Sequence, residues 1–317
     1  MKQFKLTAIA VLLSAIMMMI LFSTCLNAGQ GKGVETNRAV PSDKTYAVGN
    51  VRFTMKNIAA VTDGMVGHND YCDKNKPHAV SLSAYLIGET EVTQELWEAV
   101  MGSKPSGFNG TSGKEIDPAE SQEKRPVENV SWYDCIAFCN ELTKKASDLG
   151  EAECVYYLKD NAAKVYTIAH ANAKKEPGMD MSKKGFRLPT EAEWEWAAKC
   201  GVAGKWAGTD EVSKLINYAW YRNNSNDKTH EVKKKAPNGY GLYDMSGNVW
   251  EWCWDRDRAL PERLPADYAG AGSGSYRIIR GGSWRNGTNY VSRACRGNCH
   301  PDLRDSDIGL RVAKSKN

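Results

Sequence analysis

The 317-residue sequence lacks the short motifs by which many enzymes and metal proteins are identified. It has no CxxC pair and no Cys/His spacing of the zinc-binding kind, which argues against a structural metal cage. It has no phosphate-binding loop, no HExxH motif and no Ser/His/Asp order, so neither hydrolysis nor phosphoryl transfer is indicated. The five histidines are scattered, and we expect each to be an ordinary surface or core residue.

Acidic residues are absent before Glu35, and this absence characterises the N-terminus. Lys2 and Lys5 precede an apolar run from Leu6 to Phe22. A short basic region followed by an apolar region is typical of a secretory signal, and we assign residues 1–24 to a signal peptide. A membrane anchor is the alternative, because the run of 17 residues is at the lower limit for a membrane span. The sequence therefore predicts an exported protein.

The sequence LFSTC, which ends at Cys25, resembles the lipid-attachment site of bacterial lipoproteins. A strict site carries leucine three positions before the cysteine, where Phe22 stands here, and ordinary cleavage after Ala28 is the alternative. We favour lipidation of Cys25, with residues 25–50 forming a lipid anchor and flexible tether. The expected location is the cell surface or outer membrane, where the protein would be held as a lipoprotein.

Charge and cysteine content limit the partners and the compartment. The formal net charge is +4, and removal of residues 1–24 takes away two lysines and no acid, which leaves +2. Such a balance gives no reason to expect a nucleic-acid partner. Besides Cys25 there are eight cysteines, an even number that permits disulfides outside the cytosol, although their pairing cannot be read from the sequence.

Three segments carry the start signals and apolar periodicity of α-helices. TQELWEAVMG begins at Thr93, SWYDCIAFCNELTKKAS begins at Ser131, and LPTEAEWEWAAKC contains Thr190 three residues before Glu193. A Ser or Thr hydroxyl can accept a free backbone N–H of the first turn, and the Thr190–Glu193 spacing is that of a capping box. The sequence therefore predicts three capped helices, of which the second is clearly amphipathic.

Strand patterns are short and are separated by long polar stretches. VSLSAYLIGETEVT alternates as a strand does, and NVWEWCWD places Trp250, Trp252 and Trp254 on one face at a period of two. We interpret these tryptophans as core residues rather than as a cofactor site. Residues 51–317 are predicted to form one α+β domain with few regular elements, many loops and no internal repeat.

Six motifs occur in a fixed order along this domain. They are GETEVTQELWEAV, RPVENVSWYDCIAFCNEL, FRLPTEAEWEWAA, NGYGLYDMSGNVWEW, RIIRGGSW and IGLRVA. The series resembles the formylglycine-generating, sulfatase-modifying family, whose fold is C-type-lectin-like. The resemblance runs from about Val51 to Ala313. It is specific for the fold but not for the function, because one fold hosts many activities.

The enzymes of this family oxidise a cysteine in their substrates, and they use two cysteines of their own after the GGS motif to bind copper. Thiolate is the ligand type that selects Cu(I). Here the matching positions are Asn286 and Val291, while Cys295 and Cys299 are displaced by four or more places. The resemblance therefore implies a protein with no catalytic residues and no catalytic cofactor. The alternative is a sulfatase-modifying enzyme or a related oxidoreductase, and copper(I) binding would discriminate between the two.

The resemblance also implies a structural calcium site beside the GNVWEW turn. The matching positions are Asp244 and Glu251 for side-chain oxygens, with Gly247 and Val249 for backbone carbonyls. Calcium prefers six to eight oxygen ligands that include carboxylates. The alternative is that Glu251 simply accepts hydrogen bonds from backbone amides of the turn.

The stretch from Arg285 to Arg311 lacks five residue types. These 27 residues include no Lys, Glu, Gln, Met or Trp, although the five types make up roughly a fifth of the whole chain. Those five cannot be encoded by codons that end in C or T. The residues found at most of these positions can be reached from the asparagine codon AAC by changing its two adenines.

This pattern resembles the variable region of proteins that are diversified by a retroelement, which rewrites adenines near the 3′ end of a gene. Such proteins use C-type-lectin-like folds, and the frame GGSWxN…RxxRxxxxPDxRxxxIGxRV is similar to that of exported, surface-displayed variable proteins of Treponema. We therefore predict that residues 284–311, here called the C-terminal segment, form a variable ligand-binding region. The alternative is a fixed loop that happens to lack five residue types.

Two sets of positions follow from this interpretation. The frame positions, which would hold the backbone, are Gly281, Gly282, Trp284, Pro301, Arg304, Gly309 and Arg311. The free positions, which would bind the ligand, are Arg285, Gly287, Asn289, Tyr290, Cys295, Gly297, Asn298, Cys299, His300, Leu303, Asp305 and Ser306. Loops on a rigid scaffold tolerate replacement, and Tyr and Arg favour binding hot spots. The expected partner is a protein or glycan on another cell or on a host surface, met by a surface patch.

Overall fold

The structure is a computed structural model that describes residues 42–69, 74–111, 117–146, 148–201 and 204–316. From Ser42 onward these residues belong to one unit. The predicted signal peptide, Cys25 and the first part of the predicted tether lie outside the described residues, as does Cys72. Within the described ranges, no helix combines the length and the apolar character that crossing a membrane requires.

In the described residues five strands precede the first α-helix, five follow the last, and loops connect the elements. The α-helices are α1 Gln94–Met101, α2 Trp132–Lys145, α3 Ile168–Asn172 and α4 Glu191–Lys199. The first strands are β1 Lys44–Val48, β2 Val51–Ile58, β3 Val61–Val66, β4 His78–Leu82, β5 Tyr85–Gly88, β6 Tyr156–Leu158 and β7 Asn161–Val165. The later strands are β8 Pro177–Met179, β9 Phe186–Arg187, β10 Trp250–Arg256, β11 Arg277–Arg280, β12 Arg296–Cys299, β13 Ile308–Gly309 and β14 Ala313–Ser315. The predicted loop-rich α+β architecture is confirmed.

Two sheets position the C-terminal segment. One sheet has the strand order β1-β2-β5-β14-β9, so the last strand of the domain pairs next to its early strands. The other has the order β12-β11-β10-β13, in which β13 runs parallel to β10 and the other pairs are antiparallel. Two of its strands, β12 and β13, belong to the C-terminal segment. Smaller sheets pair β3 with β4 and place β6 between β7 and β8.

The domain begins earlier than the sequence predicted. Residues up to 50 were assigned to the tether, but β1 pairs with β2 along its whole length, from Lys44 opposite Met55 to Val48 opposite Val51. Tyr46 and Val48 are buried in the core. The predicted boundary at residue 51 is therefore wrong, because the polar composition of the stretch concealed an alternation of buried and exposed residues.

The three predicted helix starts are confirmed. The Thr93 hydroxyl accepts a hydrogen bond from the Leu96 amide at 3.3 Å. Ser131 forms a capping box with Asp134 at the start of α2, and Thr190 forms one with Glu193 at the start of α4. These caps satisfy backbone donors that a helix leaves free at its first turn, so they fix where each helix begins.

The stretch predicted as one alternating strand forms two strands, β4 and β5. The break lies at Ser83, whose amide and hydroxyl both donate to the Asp267 carboxylate at 2.7 Å. All four residues of β5 are buried. The chain therefore turns where a distant carboxylate binds it, which alternation alone does not reveal.

Tryptophans of β10 form the centre of the core, as predicted. Trp250, Trp252 and the partly buried Trp254 belong to one apolar cluster together with α2. The Trp252 indole donates to the Val130 carbonyl at 3.0 Å, and the Trp132 indole donates to the Cys253 carbonyl at 2.9 Å. Each buried ring is thus both packed and hydrogen-bonded, which fixes β10 against α2.

A candidate ligand-binding surface

A turn of two glycines, Gly281 and Gly282, precedes the C-terminal segment. Gly281 and Gly282 have φ values of +97° and +73°, a region that favours glycine. A Cβ atom added at Gly282 would lie 2.7 Å from the Tyr290 carbonyl oxygen and 2.8 Å from Val291. The backbone on either side of the following loop is therefore in direct contact, and only glycine fits at this position.

The other end of the segment, at Gly309 and Arg311, is also held in place by close contacts with the rest of the domain. A Cβ atom at Gly309 would lie 2.3 Å from the Val127 carbonyl oxygen. The fully buried Arg311 donates to the Glu251 carboxylate and to the carbonyls of Gly88 and Tyr243. The last two frame positions thus fix the end of the segment to four separate parts of the domain.

The remaining frame positions anchor the middle of the segment. The buried Trp284 indole donates to the Ser306 carbonyl at 3.1 Å, so the two ends of the segment are tied together. The Pro301 carbonyl accepts the Trp132 amide at 3.0 Å. Arg304 lies half-exposed but forms an ion pair with Asp134 at 2.6 Å. Each frame position therefore has a structural role.

The free positions differ in exposure. The exposed ones are Arg285, Asn289, Tyr290, His300 and Leu303. The half-buried ones are Gly287, Gly297, Asn298, Cys299, Asp305 and Ser306. Cys295 alone among the twelve is buried. Eleven of the predicted positions therefore have side-chain or backbone surface at the exterior.

Cys295 and Gly297 do not fit the prediction that they are open to replacement. Cys295 packs in the core cluster with the tryptophans of β10. A Cβ atom at Gly297 would lie 2.8 Å from the buried Ile279 side chain, so any larger residue requires Ile279 to move. Cys299, two residues on, also packs against the core, and burial raises the pKa of its thiol to about 11. The alternation of β12 explains these corrections, since 297 and 299 share the face that points to the core.

The opposite face of β12 carries Arg296 and Asn298. The Arg296 guanidinium binds Glu191 of α4 at 2.7 Å and Asp257 at 2.8 Å. The Asn298 amide donates to the same Asp257 carboxylate at 2.6 Å. His300 follows beyond the strand end and is exposed. One free position, Asn298, therefore lies beside a fixed acidic residue outside the segment, whereas His300 pairs with Asp302 of the segment itself.

The loop after the double glycine meets the loop before β13. Arg285 binds Asp307 through two hydrogen bonds of 2.7 Å and binds Asp305 at 2.9 Å. Ser306 lies between these two aspartates, under the Trp284 indole. The free positions 285, 305 and 306 thus form one continuous patch, although they are about twenty residues apart in sequence.

Several residues outside the segment border the free positions, and no sequence pattern indicated them. The Lys205 ammonium donates to the Asn289 side chain at 2.8 Å, and the Arg222 guanidinium donates to the Arg285 carbonyl at 3.0 Å. Tyr276, half-exposed, lies edge-on to the His300 ring with 6.3 Å between ring centroids. These residues extend the surface beyond the segment, and only the tertiary structure brings them there.

The two positions that match the enzymes' cysteines have structural roles in this chain. The Asn286 side-chain oxygen accepts from the Ser283 amide at 3.0 Å and from its hydroxyl at 2.8 Å. Val291 is fully buried in a small cluster with Trp206, Leu215 and Tyr221. Neither position offers a metal ligand or a nucleophile toward the surface.

Burial keeps several of the described cysteine thiols in their unreactive, protonated form. Burial raises the pKa of Cys154 to about 11 and also raises the pKa values of Cys135, Cys139 and Cys253. A raised pKa leaves the thiol protonated at neutral pH, whereas metal binding and nucleophilic attack require the thiolate. The seven cysteines within the described residues form no disulfide with one another.

The predicted calcium positions surround a buried excess of negative charge. Asp244 is buried, one of its oxygens accepts the Lys233 amide at 2.9 Å, and the other, Oδ1, has no partner among the described residues. Burial raises the pKa of Asp244 to about 6. The Glu251 carboxylate is held by Arg311 and by the Trp194 indole at 2.6 Å rather than by backbone amides.

A third buried carboxylate, Glu91, was missed from the sequence. It accepts the Val249 amide at 3.0 Å and the Asn248 side chain at 2.7 Å. Burial, with the charges of Asp244 and Glu251 nearby, raises the pKa of Glu91 well above its ordinary value. The unpartnered Asp244 oxygen and this charge excess fit a cation. No group of three or more His, Cys, Asp or Glu side chains in the described ranges is itself arranged as a metal site, so backbone carbonyls of Gly247 and Val249 would have to contribute.

Comparison with known proteins gives a consistent result. The family model of the sulfatase-modifying factor enzyme 1-like domain matches residues 39–316. The chain is 33% identical over 276 residues to the chaperone protein LppX of Paenibacillus barcinonensis, which covers 78% of this chain and 85% of that protein. It is 38% identical over 146 residues to the formylglycine-generating enzyme of Streptomyces coelicolor, which covers 41% of this chain and 46% of that enzyme.

Among solved structures, Treponema denticola variable protein 1 is similar to this chain. The TM-score is 0.78 and the sequence identity 51%, over 87% of this chain and all of that one. The predicted resemblance to the formylglycine-generating family and to the variable proteins is thereby confirmed, as is the C-type-lectin-like fold.

Proposed function

Because the chain belongs to the sulfatase-modifying factor enzyme 1-like family, we propose that it is a non-catalytic member whose C-terminal segment is a variable ligand-binding site. The similarity to a Treponema variable protein supports the variable-protein part of this proposal. The absence of a thiol at positions 286 and 291 supports the non-catalytic part. Retroelement diversification and ligand binding are the parts that need experiments.

The main support for the proposal is that, in the segment and in the turn before it, the frame positions hold the backbone while the free positions lie at the surface. Frame positions contact backbone or buried charges, as Gly282, Gly309 and Arg311 do. Free positions such as Tyr290 and His300 are exposed and belong to no core cluster. A segment organised in this way can change its surface chemistry while its backbone stays fixed.

Deep sequencing of the last hundred or so nucleotides of the gene, across a cell population, tests diversification. We expect substitutions confined to the codons of variable positions such as Arg285, Tyr290 and His300. The codons of GGSW and IGLRV should remain unchanged. A uniform sequence throughout the population would show that the segment is a fixed loop, and the proposal would then be withdrawn.

The proposed partner is a protein or glycan on another cell or on a host surface. The exposed set combines a guanidinium, a phenol, an imidazole and an amide, which suit a surface contact better than a deep pocket. We propose that the protein reaches such partners as an exported lipoprotein anchored through Cys25. Metabolic labelling with a fatty-acid analogue should label the wild type and not Cys25→Ala, and equal labelling of both would contradict the anchor.

The second candidate is the oxidising activity of the family's enzymes, which family membership itself favours. Titration with Cu(I) under reducing conditions separates the candidates, because the enzymes hold copper through a pair of thiolates. We expect no tight binding of one Cu(I) per chain and no oxidation of a cysteine-containing peptide. Restoring the pair with Asn286→Cys and Val291→Cys supplies a matched control that should bind Cu(I) more tightly.

We propose calcium as a structural ion held by Asp244, Gly247, Val249 and Glu251. Calcium binds the folded state only, so it should raise the melting temperature of the wild type. Asp244→Asn, which removes charge at similar size, should abolish that increase. An equal effect of the substitution in chelator and in calcium would contradict the assignment.

A further inference from the structure

A cavity of about 540 Å³ opens beside β12, on the face that carries Arg296 and Asn298. Its walls come from three places in the chain: residues 74–78 before and at the start of β4, residues 257–262 after β10, and Arg296. Sites for small ligands and ligand side chains typically occupy about 300–1,000 Å³. The cavity is therefore large enough to receive part of a ligand that is bound by the neighbouring segment.

The floor of the cavity is a closed set of ion pairs. Arg296 is almost fully buried and divides its guanidinium between Glu191 and Asp257. Asp257 in turn accepts the Asn298 amide, so a free position of the C-terminal segment is bonded to the cavity wall. One guanidinium and two carboxylates leave one negative charge at the floor. A ligand anion is thus kept from the floor and must bind at the rim.

The rim is cationic. Lys74, Lys76 and Arg258 line it and are exposed, and none has a carboxylate within ion-pair distance in the part of the chain that the structure describes. The Arg258 Nε donates to the Ser273 carbonyl at 3.1 Å, which orients the guanidinium, and its terminal amino groups bind no other group among the described residues. Glu262 is the one carboxylate on the rim without an ion pair in the same ranges. Within the described ranges, the unpaired charge at the rim is therefore positive in excess.

We propose that this cavity is a fixed subsite of the binding surface, which takes carboxylate side chains of an acidic polypeptide ligand at Lys76 and Arg258. The inference rests on the proposed function, since the subsite adds a constant contact beside the variable positions. Arginine binds a carboxylate through two parallel hydrogen bonds, and lysine adds a point charge. Among the described residues the walls include Pro77, Leu260 and Pro261 but no Trp, Tyr or Phe, so this part of the wall suits a peptide better than a sugar ring that stacks on an aromatic face.

The test uses the full-length protein and the peptide acetyl-Asp-Glu-Asp-amide, followed by isothermal titration calorimetry at low ionic strength. We expect saturable binding to the wild type. The double variant Lys76→Ala/Arg258→Ala should bind about tenfold more weakly, because charged contacts of this kind dominate such a site. The uncharged peptide acetyl-Asn-Gln-Asn-amide should bind to neither protein.

A matched control removes the same charge elsewhere. Arg52→Ala/Lys164→Ala deletes one arginine and one lysine that are exposed and do not line the cavity. It should bind the acidic peptide as the wild type does. Equal weakening in both double variants would show a general charge effect and would overturn the subsite, as would the absence of saturable binding. Binding of N-acetylneuraminate without binding of the peptide would overturn the polypeptide class.

This result is separable from the proposed function. Diversified codons together with no peptide binding would remove the subsite alone. Peptide binding that depends on Lys76 and Arg258, together with a uniform gene sequence, would remove the variable-site proposal and leave a fixed peptide-binding cavity. Melting temperatures of the two double variants, measured alongside, confirm that each is folded.

Discussion

Two arginines of the C-terminal segment, Arg296 and Arg285, differ in the exposure of their side chains and in the residues that they bind. The Arg296 side chain is 2% exposed and is enclosed by Glu191 of α4 and Asp257. The Arg285 side chain is 44% exposed, and it binds Asp305 and Asp307 of its own segment. One arginine therefore connects the segment to the scaffold, while the other connects the segment to itself at the surface.

The difference shows that the segment has two layers. Arg293 belongs with Arg296, because it is buried and binds Glu195, one helical turn after Glu191 on α4. Glu195 is also bound by Arg280, and these charges hold the Glu195 pKa below its ordinary value although burial alone would raise it. The inner layer is thus fixed by buried charge, and the outer layer is free to vary only where no such charge depends on it.

The largest effect is expected from breaking the inner layer. Arg296→Ala leaves Glu191 buried without its partner, and losing one member of a buried ion pair typically costs about 3–5 kcal/mol of unfolding free energy. Arg285→Ala should cost less, because the Arg285 side chain is 44% exposed and the buried Asp307 keeps its hydrogen bond from the Ser283 hydroxyl at 2.7 Å. Urea denaturation of both variants checks this. Similar losses for the two would contradict the division into layers.

Two glycines, Gly309 in the inner layer and Gly287 in the outer layer, allow the same comparison to be made for the backbone. Gly309→Ala places a methyl group against the Val127 carbonyl, and overpacking of this kind costs about 1–3 kcal/mol. Gly287 lies in the outer layer with open space around its Cα, so Gly287→Ala should change the unfolding free energy by less than about 0.5 kcal/mol. Thermal melts of the pair provide the measurement, and a Gly287 variant that is the less stable of the two would argue against the assignment.

The unfolding free energy should depend on pH through Glu128, whose buried carboxylate accepts hydrogen bonds from the Gly107 and Phe108 amides. Burial raises its pKa from 4.5 to about 7. The folded state therefore holds this proton more tightly than the unfolded state, so its stabilising effect is complete below pH 4.5 and is lost as the pH rises through 7. Glu128→Gln should flatten the decline in unfolding free energy between pH 5 and pH 8. An unchanged slope would show that other groups cause it.

The smallest effect on stability is expected at the outermost free position. Tyr290 is 56% exposed and lies in no core cluster, so Tyr290→Ala should change the unfolding free energy by less than about 0.5 kcal/mol. Ligand binding should nevertheless weaken, because exposed tyrosines combine contact area with a directed hydrogen bond. The ligand is first purified to a single component from an extract of the cells that carry it. Surface plasmon resonance then gives the affinities of the wild type and of Tyr290→Ala for this component. Loss of stability without loss of binding would place Tyr290 with the frame.

The features that could be predicted from the sequence are those set by neighbouring residues. Helix starts at Thr93, Ser131 and Thr190 follow from a hydroxyl and an amide three residues apart, and the period of two along β10 follows from strand geometry. The ordered motifs and the missing residue types in the C-terminal segment gave the family and the candidate surface. The beginning of the domain at Lys44 could also have been found, from the alternation through Tyr46 and Val48.

Tertiary structure decided which parts of that segment are surface and what lies beside them. Cys295 and Gly297 looked replaceable, but the pairing of β12 with β11 turns them toward the core. Lys205 and Asp257 border the free positions only because the fold brings together residues 84 and 41 positions apart. Local hydrogen-bonding rules fix how an element starts and which period it follows. Exposure depends on contacts between distant elements, and those exist only once the chain is folded.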